Sequence, residues 1–276
     1  MGGFFGAVSA NDCILDVFYG TDYHSHLGTR RGGMTSYSAE LGFQRNIHSI
    51  ENSPFRTKFE KDVEKMRGNI CIGCISDTDP QPIMVRSKLG LYAVCSIGII
   101  QNAKALSEEL LESGCANFET MSSGNINSGG LIGALIAQKS SFVEGIRYAQ
   151  EKIEGTMSLV IMTENSIICA RDKAGKLPIL IGKRADGYCF SFESFAYQKL
   201  GYETCHELKA GEITRLTKDG YDVLYEGTDS MKICTFLWTY YGYPTACYEG
   251  VNVEVMRTKN GEIMAENDMK SGKLPD

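Results

Sequence analysis

The spacing of apolar residues changes period twice along the chain, and that succession constrains the fold more than any single motif. Ahead of residue 100 the apolar residues fall in strand-like runs, Phe4 to Ser9, Asn69 to Ile75 and Leu91 to Ile100, with the turn-forming Asp77-Thr78-Asp79-Pro80 between the last two. The spacing then becomes helical. Ala103 to Glu112 places Leu106, Leu110 and Leu111 on one face, and Gly129 to Gln138 is an apolar helix weakened by Gly133. Ser141 with Glu144 has the capping-box pattern, opening a helix with Phe142, Ile146, Ala149 and Ile153 at helical spacing. From Thr156 strands return: Met157 to Thr163, Ser166 to Ala170, Pro178 to Gly182 and Tyr188 to Phe192, with a hairpin turn at Asp186-Gly187. A short helix, Ser194 to Leu200, precedes a second hairpin, Gly211 to Leu216 and Tyr221 to Tyr225 around Lys218-Asp219-Gly220. Strands, a helical block and more strands predict an α+β fold with helices packed on antiparallel sheets.

Two regions are less regular. Tyr19 to Met34 reads as loop-rich, and Tyr37 to Phe59 gives no decisive pattern. In the tail, Glu249 to Met256 reads as extended, Asn260 to Asn267 as helical, and Asp268 to Asp276 as a domain boundary.

With 276 residues and 43% hydrophobic content, the chain can bury one large core. Its net charge of -6 supplies no basic excess, which argues against an extended nucleic-acid surface. No window has the apolar length of a membrane span, and no signal-peptide pattern opens the chain. The ten cysteines, 13, 71, 74, 95, 115, 169, 189, 205, 234 and 247, are spread through apolar segments; reduced thiols and a cytoplasmic setting are expected.

Isolated motifs point mainly to structural roles. Cys71-Ile-Gly-Cys74 has half-site spacing, but no second pair stands at zinc-ribbon distance, so two packed thiols are expected. His24 and His26 would share a face on a strand and could hold a metal only with further ligands, none of which is near in sequence; no metal is expected. Ser122 to Gly130 reads as a helix N-cap rather than an anion site. Arg30-Arg31 could bind a carboxylate or phosphate, or be a solvated pair.

The order of several stretches carries a resemblance. Gly155 to Glu164, Ala170-Arg-Asp172, Leu177-Pro178, Ile181-Gly-Lys183, Phe192-Glu-Ser194 and Lys209 to Ile213 are similar, in order and spacing, to the glutaminase domain of amidophosphoribosyltransferases, the family that begins purine synthesis. Cys234 to Tyr241 through Gly250-Val-Asn-Val, with Arg257 and Gly261-Glu, resembles the passage from that domain into the phosphoribosyltransferase domain. The amino-terminal Gly-Phe-Phe-Gly-Ala-Val and the Leu27 to Gly32 loop resemble the family's opening strand and its Arg-Gly loop. The resemblance implies an N-terminal nucleophile hydrolase-like αββα sandwich, with residues 1–240 as a class II glutamine amidotransferase-like domain. It implies that residues 241–276 are a linker or the start of a phosphoribosyltransferase domain. It also implies a C-terminal phosphoribosyltransferase partner domain, a homo-oligomer, no nucleic-acid or membrane partner and no cofactor in this domain, with Mg and phosphoribosyl pyrophosphate entering only if a transferase domain follows.

In active members a terminal Cys thiolate attacks the glutamine amide while its own α-amine shuttles the proton. Asn and a backbone N–H hold the oxyanion, and Arg and Asp fix the substrate. Here the nucleophile position is Gly2. The Gly-His-Thr-Arg stretch falls on Gly73-Cys74-Ile75-Ser76, and the oxyanion motif on Ser96-Ile97-Gly98, although the following Asn102 is kept. The Ser-Asp-Thr/Ser-Glu stretch falls on Asn127-Ser128-Gly129-Gly130. No catalytic residue is intact on this reading, and losing the carboxylate clamp alone weakens glutamine binding by roughly 1.5–3 kcal/mol. Arg31, Ser76, Asn102, Asn127, Ser128 and Gly129 remain as candidate pocket residues. The leading expectation is a non-hydrolytic scaffold with a structural or regulatory role. Two alternatives are a glutaminase using Cys13 or Cys74, and a binding module whose remodelled pocket uses Arg31 and the Asn127 to Gly130 loop.

Overall fold

A strand flanked by other strands and covered on both faces must be apolar throughout, and β1, Gly2–Ser9, is buried along its whole length. The computed structural model describes residues 2–114, 118, 121 and 124–272; Cys115, Ser122, Ser123 and residues 273–276, named above, lie outside the described residues.

After β1 come α1 (Ile14–Asp22), a 3-10 turn at Ser25–Leu27, β2 (Arg31–Ser38), β3 (Gly42–Ser49), α2 (Phe55–Val63) and β4 (Ile70–Ser76). Next are β5 (Ile83–Ser87), β6 (Gly90–Ile100), α3 (Ala103–Glu112), α4 (Ser128–Ile136) and α5 (Phe142–Lys152). The second half holds β7 (Gly155–Met162), β8 (Ile167–Ala170), β9 (Leu180–Arg184), β10 (Gly187–Ser191), α6 (Ser194–Gln198) and β11 (Glu203–Glu207). It continues through β12 (Ile213–Leu216), β13 (Tyr221–Tyr225), a π-helical turn at Leu237–Tyr241, β14 (Cys247–Tyr248), β15 (Val251–Asn252) and α7 (Val253–Ser271).

One sheet has the order β11-β9-β10-β1-β4-β2-β3 and the other β13-β12-β8-β7-β6-β5, with antiparallel pairing between neighbours. Strand parity divides the core. On β6, Ala93, Cys95 and Ile97 face the layer between the sheets, while Tyr92 and Val94 join Leu131, Leu135, Ile146 and Ala149 beneath α4 and α5. On the other side α1 lies across β1 and β4, with α2 beside it. The result is the αββα sandwich that the resemblance implied.

The helical block matches the sequence reading closely. Ser141 Oγ accepts from the Glu144 N–H at 3.3 Å, while the Glu144 carboxylate turns to Ser140 Oγ at 2.5 Å instead of closing the box. The loop-rich reading of Tyr19 to Met34 changes: α1 runs to Asp22 and β2 begins at Arg31. The tail changes more, since only Val251–Asn252 of the Glu249 to Met256 stretch is extended, and Asn252 Oδ1 caps α7 by accepting from the Val255 N–H at 3.0 Å. That cap starts a helix through Ser271, which contains the Asn260 to Asn267 stretch read as helical.

Cys71 and Cys74 are three residues apart on a strand and project to opposite faces, Cys71 beside Cys13 and Cys74 beside Cys95. They cannot share a metal. The nine described cysteines are free thiols. No described helix is long and apolar enough to cross a membrane.

Candidate functional site

The pairing register assembles what the sequence leaves separate. Gly2 on β1 is opposite Ser76 on β4, and Ser76 is opposite Arg31 on β2. Directly opposed residues project to the same face, and Ser76 has the parity of Cys74, so the three positions form one row facing the layer between the sheets. Arg31 ends this row exposed, whereas Ser76 is buried. From the facing sheet Ile97 enters the same layer as part of the apolar core.

Gly2 has no space for a side chain. A Cβ built there would stand 2.5 Å from the Ile75 carbonyl oxygen, closer than packed atoms allow, and the obstruction is backbone. Gly98, which the resemblance aligns with the oxyanion motif, has φ +142, and a Cβ on it would lie 2.0 Å from the Thr156 carbonyl oxygen. Glycine at 98 is therefore a requirement of the β6–β7 pairing, whatever the site does.

The connection from β4 to β5 ties the row to the remaining candidates. Asp77 Oδ1 accepts from the Thr29 N–H at 2.7 Å, and Asp79 Oδ2 accepts from the Ser128 N–H at 3.0 Å. Gln81 clamps Ser96 by accepting its N–H at 2.6 Å and donating to its carbonyl at 3.1 Å. Asn127 caps α4 by accepting from the Gly129 N–H at 2.8 Å and donates to the Pro80 carbonyl at 3.0 Å. Asn127, Ser128 and Gly129 thus stand at a helix start whose N–H groups already hold protein acceptors, as the N-cap reading expected. Replacing Asn127 with Ala removes both bonds; unfolding in urea should show a loss of about 1 kcal/mol, the usual value of such a cap.

Asn102 is not part of this assembly. Its amide donates to the Lys152 carbonyl at 2.9 Å and accepts from the Glu154 N–H at 3.0 Å, fastening the end of α5. The carboxylates Asp77 and Asp79 were legible in the sequence only as turn residues, because their partners lie on other elements.

His24 and His26 do not share a strand face. His24 Nδ1 contacts the Gly20 carbonyl at 2.7 Å and Nε2 the Ser191 hydroxyl at 3.2 Å, and among the described residues no cluster of three metal-ligand side chains occurs. Burial lowers the His24 pKa to about 4 despite the opposing pull of Glu193, so the ring is neutral in the fold. Because the folded value lies below the ordinary 6.5, its contribution is complete above 6.5 and is lost as pH falls towards 4. That is on the order of 3 kcal/mol. Urea midpoints of the natural chain and of His24→Gln should converge over that range; parallel curves would contradict the assignment.

His26 Nε2 stands 2.8 Å from Glu193, which the sequence reading noted only within the Phe192-Glu-Ser194 stretch and not as a site residue. Glu193 is fully buried: burial presses its pKa up, but His26, the neighbouring His24 and the Tyr248 hydroxyl outweigh it and hold the carboxyl below its ordinary value. The same carboxylate accepts from the Tyr243 N–H at 2.9 Å and the Tyr248 hydroxyl at 2.6 Å, joining the loop beside β1 to the tail. The alternative nucleophiles are poorly placed: Cys13 and Cys74 are both buried against other thiols.

The family described as "Glutamine amidotransferase domain" matches residues 66–198. Amidophosphoribosyltransferases of Archaeoglobus fulgidus and Methanocaldococcus jannaschii are 25% and 26% identical, over 90% and 96% of this chain and 55% and 61% of theirs. The chain therefore spans little more than half the length of these relatives. Among solved structures, the Bacillus subtilis glutamine phosphoribosylpyrophosphate amidotransferase, complexed with ADP and GMP, superimposes with a TM-score of 0.80 at 23% identity, covering 91% of this chain and 55% of that one. A structure described as the allosteric regulatory enzyme of purine biosynthesis gives 0.85 at 22% identity, covering 96% and 58%. Residues 66–198 thus match the glutamine amidotransferase domain family, and the chain is similar to amidophosphoribosyltransferases over little more than half of their length.

Proposed function

We propose that this domain does not hydrolyse glutamine and serves an amidophosphoribosyltransferase-like protein of purine biosynthesis as a structural or regulatory part. The observation that carries this reading is the row Gly2–Ser76–Arg31, in which the nucleophile position has no side chain and no room for one. A glutaminase of this fold needs a thiolate beside a free amine and a polar oxyanion site opposite. Here those positions hold glycine and the core residue Ile97. On this reading residues 241–276 lead into a phosphoribosyltransferase domain, and Mg and phosphoribosyl pyrophosphate belong to that domain. Such a protein would use free ammonia or ammonia delivered from elsewhere.

Incubation of the purified chain with glutamine should release no more glutamate than a heat-killed control, and sustained turnover would refute the proposal. Gly2→Cys should be equally silent, because the Ile75 carbonyl obstructs the new Cβ and because Ser76 and Ile97 remain. Activity restored by that one change would mean that the rest of the site is intact.

A further inference from the structure

The tail returns to the sandwich through a small hairpin whose turn is held in an unusual way. β14 and β15 pair as Cys247 with Asn252 and Tyr248 with Val251, leaving the two-residue turn Glu249-Gly250. Both turn residues have positive φ, +49 and +74, as a type I′ turn requires. Glycine adopts that backbone readily, but glutamate does so at a cost and persists only where contacts fix it.

Those contacts come from the sandwich. The Glu249 N–H donates to both carboxylate oxygens of Glu207 on β11, each at 3.1 Å. The Glu249 carboxylate lies 2.7 Å from Nη2 of Arg171, a fully buried guanidinium just after β8. Arg171 also donates from Nη1 to the Leu208 carbonyl at 2.5 Å and from Nη2 to the Gly175 carbonyl at 2.8 Å, so its place is set by the sandwich and not by the tail. Two carboxylates thus meet one buried cation, leaving one negative charge uncompensated when both are ionised.

We propose that Glu207, Glu249 and Arg171 form a proton-operated clip that fastens the Glu249-Gly250 hairpin, and with it the start of α7, to the sandwich. The groups facing Glu207 are Glu249 from the hairpin, Arg171 from the end of β8, Tyr248 from β14 and Tyr197 from α6. On its own strand, His206 is engaged with Glu212 at 2.6 Å. Burial first and the Glu249 carboxylate second raise the Glu207 pKa to about 7, against the pull of Arg171 and the Glu249 N–H. Releasing the hairpin exposes Glu207 to water and returns it towards its ordinary 4.5. The docked form therefore binds the proton more tightly, and docking weakens as pH rises between these two values. With one proton linked, the docking constant falls at most about tenfold per pH unit and levels off above about 7. A hydrogen bond shared by the two carboxyls holds the turn below that pH, and mutual repulsion loosens it above.

The chain contains a single tryptophan, and it reports on this hairpin. Trp238 donates from Nε1 to the Val251 carbonyl at 3.0 Å and meets Tyr248 edge-on at 5.8 Å. Its fluorescence, followed on the full chain from about pH 4 to about pH 8 to bracket the linked proton, should show one transition between the free and docked values of Glu207. Hydrogen exchange at the N–H of Cys247, bonded to Ser194 Oγ, and of Val253, bonded to the Ala246 carbonyl, should accelerate over the same range. Glu207→Gln should abolish the transition and hold the signal at its low-pH value. Should that variant fail to fold, Glu249→Gln, which removes the repelling partner but keeps the N–H, should shift the midpoint down by at least a pH unit. His26→Asn is the control, because His26 touches Glu193 and the Tyr243 ring beside the tail. A flat profile in the natural chain, an unchanged midpoint in both Glu variants, or a transition that disappears only in His26→Asn would overturn the clip.

Discussion

Arg171→Ala is expected to lower stability by roughly 3–5 kcal/mol, the usual result of removing one partner from a buried charged network. For a chain of this size that corresponds to a fall in Tm of roughly 6–20 °C, measured by differential scanning calorimetry near neutral pH. The size follows from what is left behind. The carbonyls of Leu208 and Gly175 lose their donor, the Glu249 carboxylate loses its ion-pair partner, and Glu207 faces Glu249 with no cation between them. Arg171→Lys should recover only part of the loss, since an ammonium keeps the charge but cannot reach two carbonyls and a carboxylate with a planar fork. A change in Tm of less than about 1 °C for Arg171→Ala would show that the network contributes nothing net.

Gly33→Ala tests the other junction. Gly33 lies on β2, and a Cβ there would stand 1.7 Å from the Gln81 carbonyl oxygen and 2.9 Å from Pro82. One methyl group must displace the β4–β5 connection, which carries Asp79 to α4 and Gln81 to Ser96. The expected cost is about 4 kcal/mol or more, in the range reserved for core overpacking and broken buried hydrogen bonds together. Urea unfolding measures it, and hydrogen exchange locates it: the Ser96 and Ser128 N–H groups should lose protection before the β1–β4 ladder does. Uniform loss of protection would mean that this connection is not a separate unit.

Both sites were only partly legible beforehand, for a common reason. Arg171-Asp172 stood out as a motif, yet the carboxylates facing the guanidinium sit on β11 and in the tail hairpin. Gly33 read as one residue of the loop-rich Tyr19 to Met34 stretch, and only the folded chain shows that the Gln81 backbone crosses it.

Local physics determined much of the architecture. Where one face is wet and the other dry, or where a strand is dry on both faces, the apolar period is the fold's own signature, and α3, α5, β1, β7 and β8 lie where it put them. Hairpin chemistry acts the same way: the turn at 217–220 lies where Lys218-Asp219-Gly220 put it, and the turn expected at Asp186-Gly187 lies one residue earlier, at Ala185-Asp186. The unread elements had weak signals. β3 and β11 are sheet edges, half wet and rich in polar residues, and α2 buries only Phe55, Phe59 and Val63 of its nine residues. Without a strong contrast between faces, periodicity has nothing to report.

The sequence, through its resemblance to amidophosphoribosyltransferases, marked Gly2, Ser76 and Ile97 one at a time as positions aligned with that family's catalytic motifs. Tertiary structure decided that the first two form a row with Arg31, that the Ile75 carbonyl closes over Gly2, and that Asn102 belongs to α5. It also decided that α7 begins at Val253, because the Asn252 cap and the hairpin before it depend on Glu207 and Arg171, residues distant in the chain. Turn, cap and period preferences are properties of neighbouring residues and can be read along a line. Register, close backbone approach and shared charge are properties of residues that meet only when the two sheets have formed.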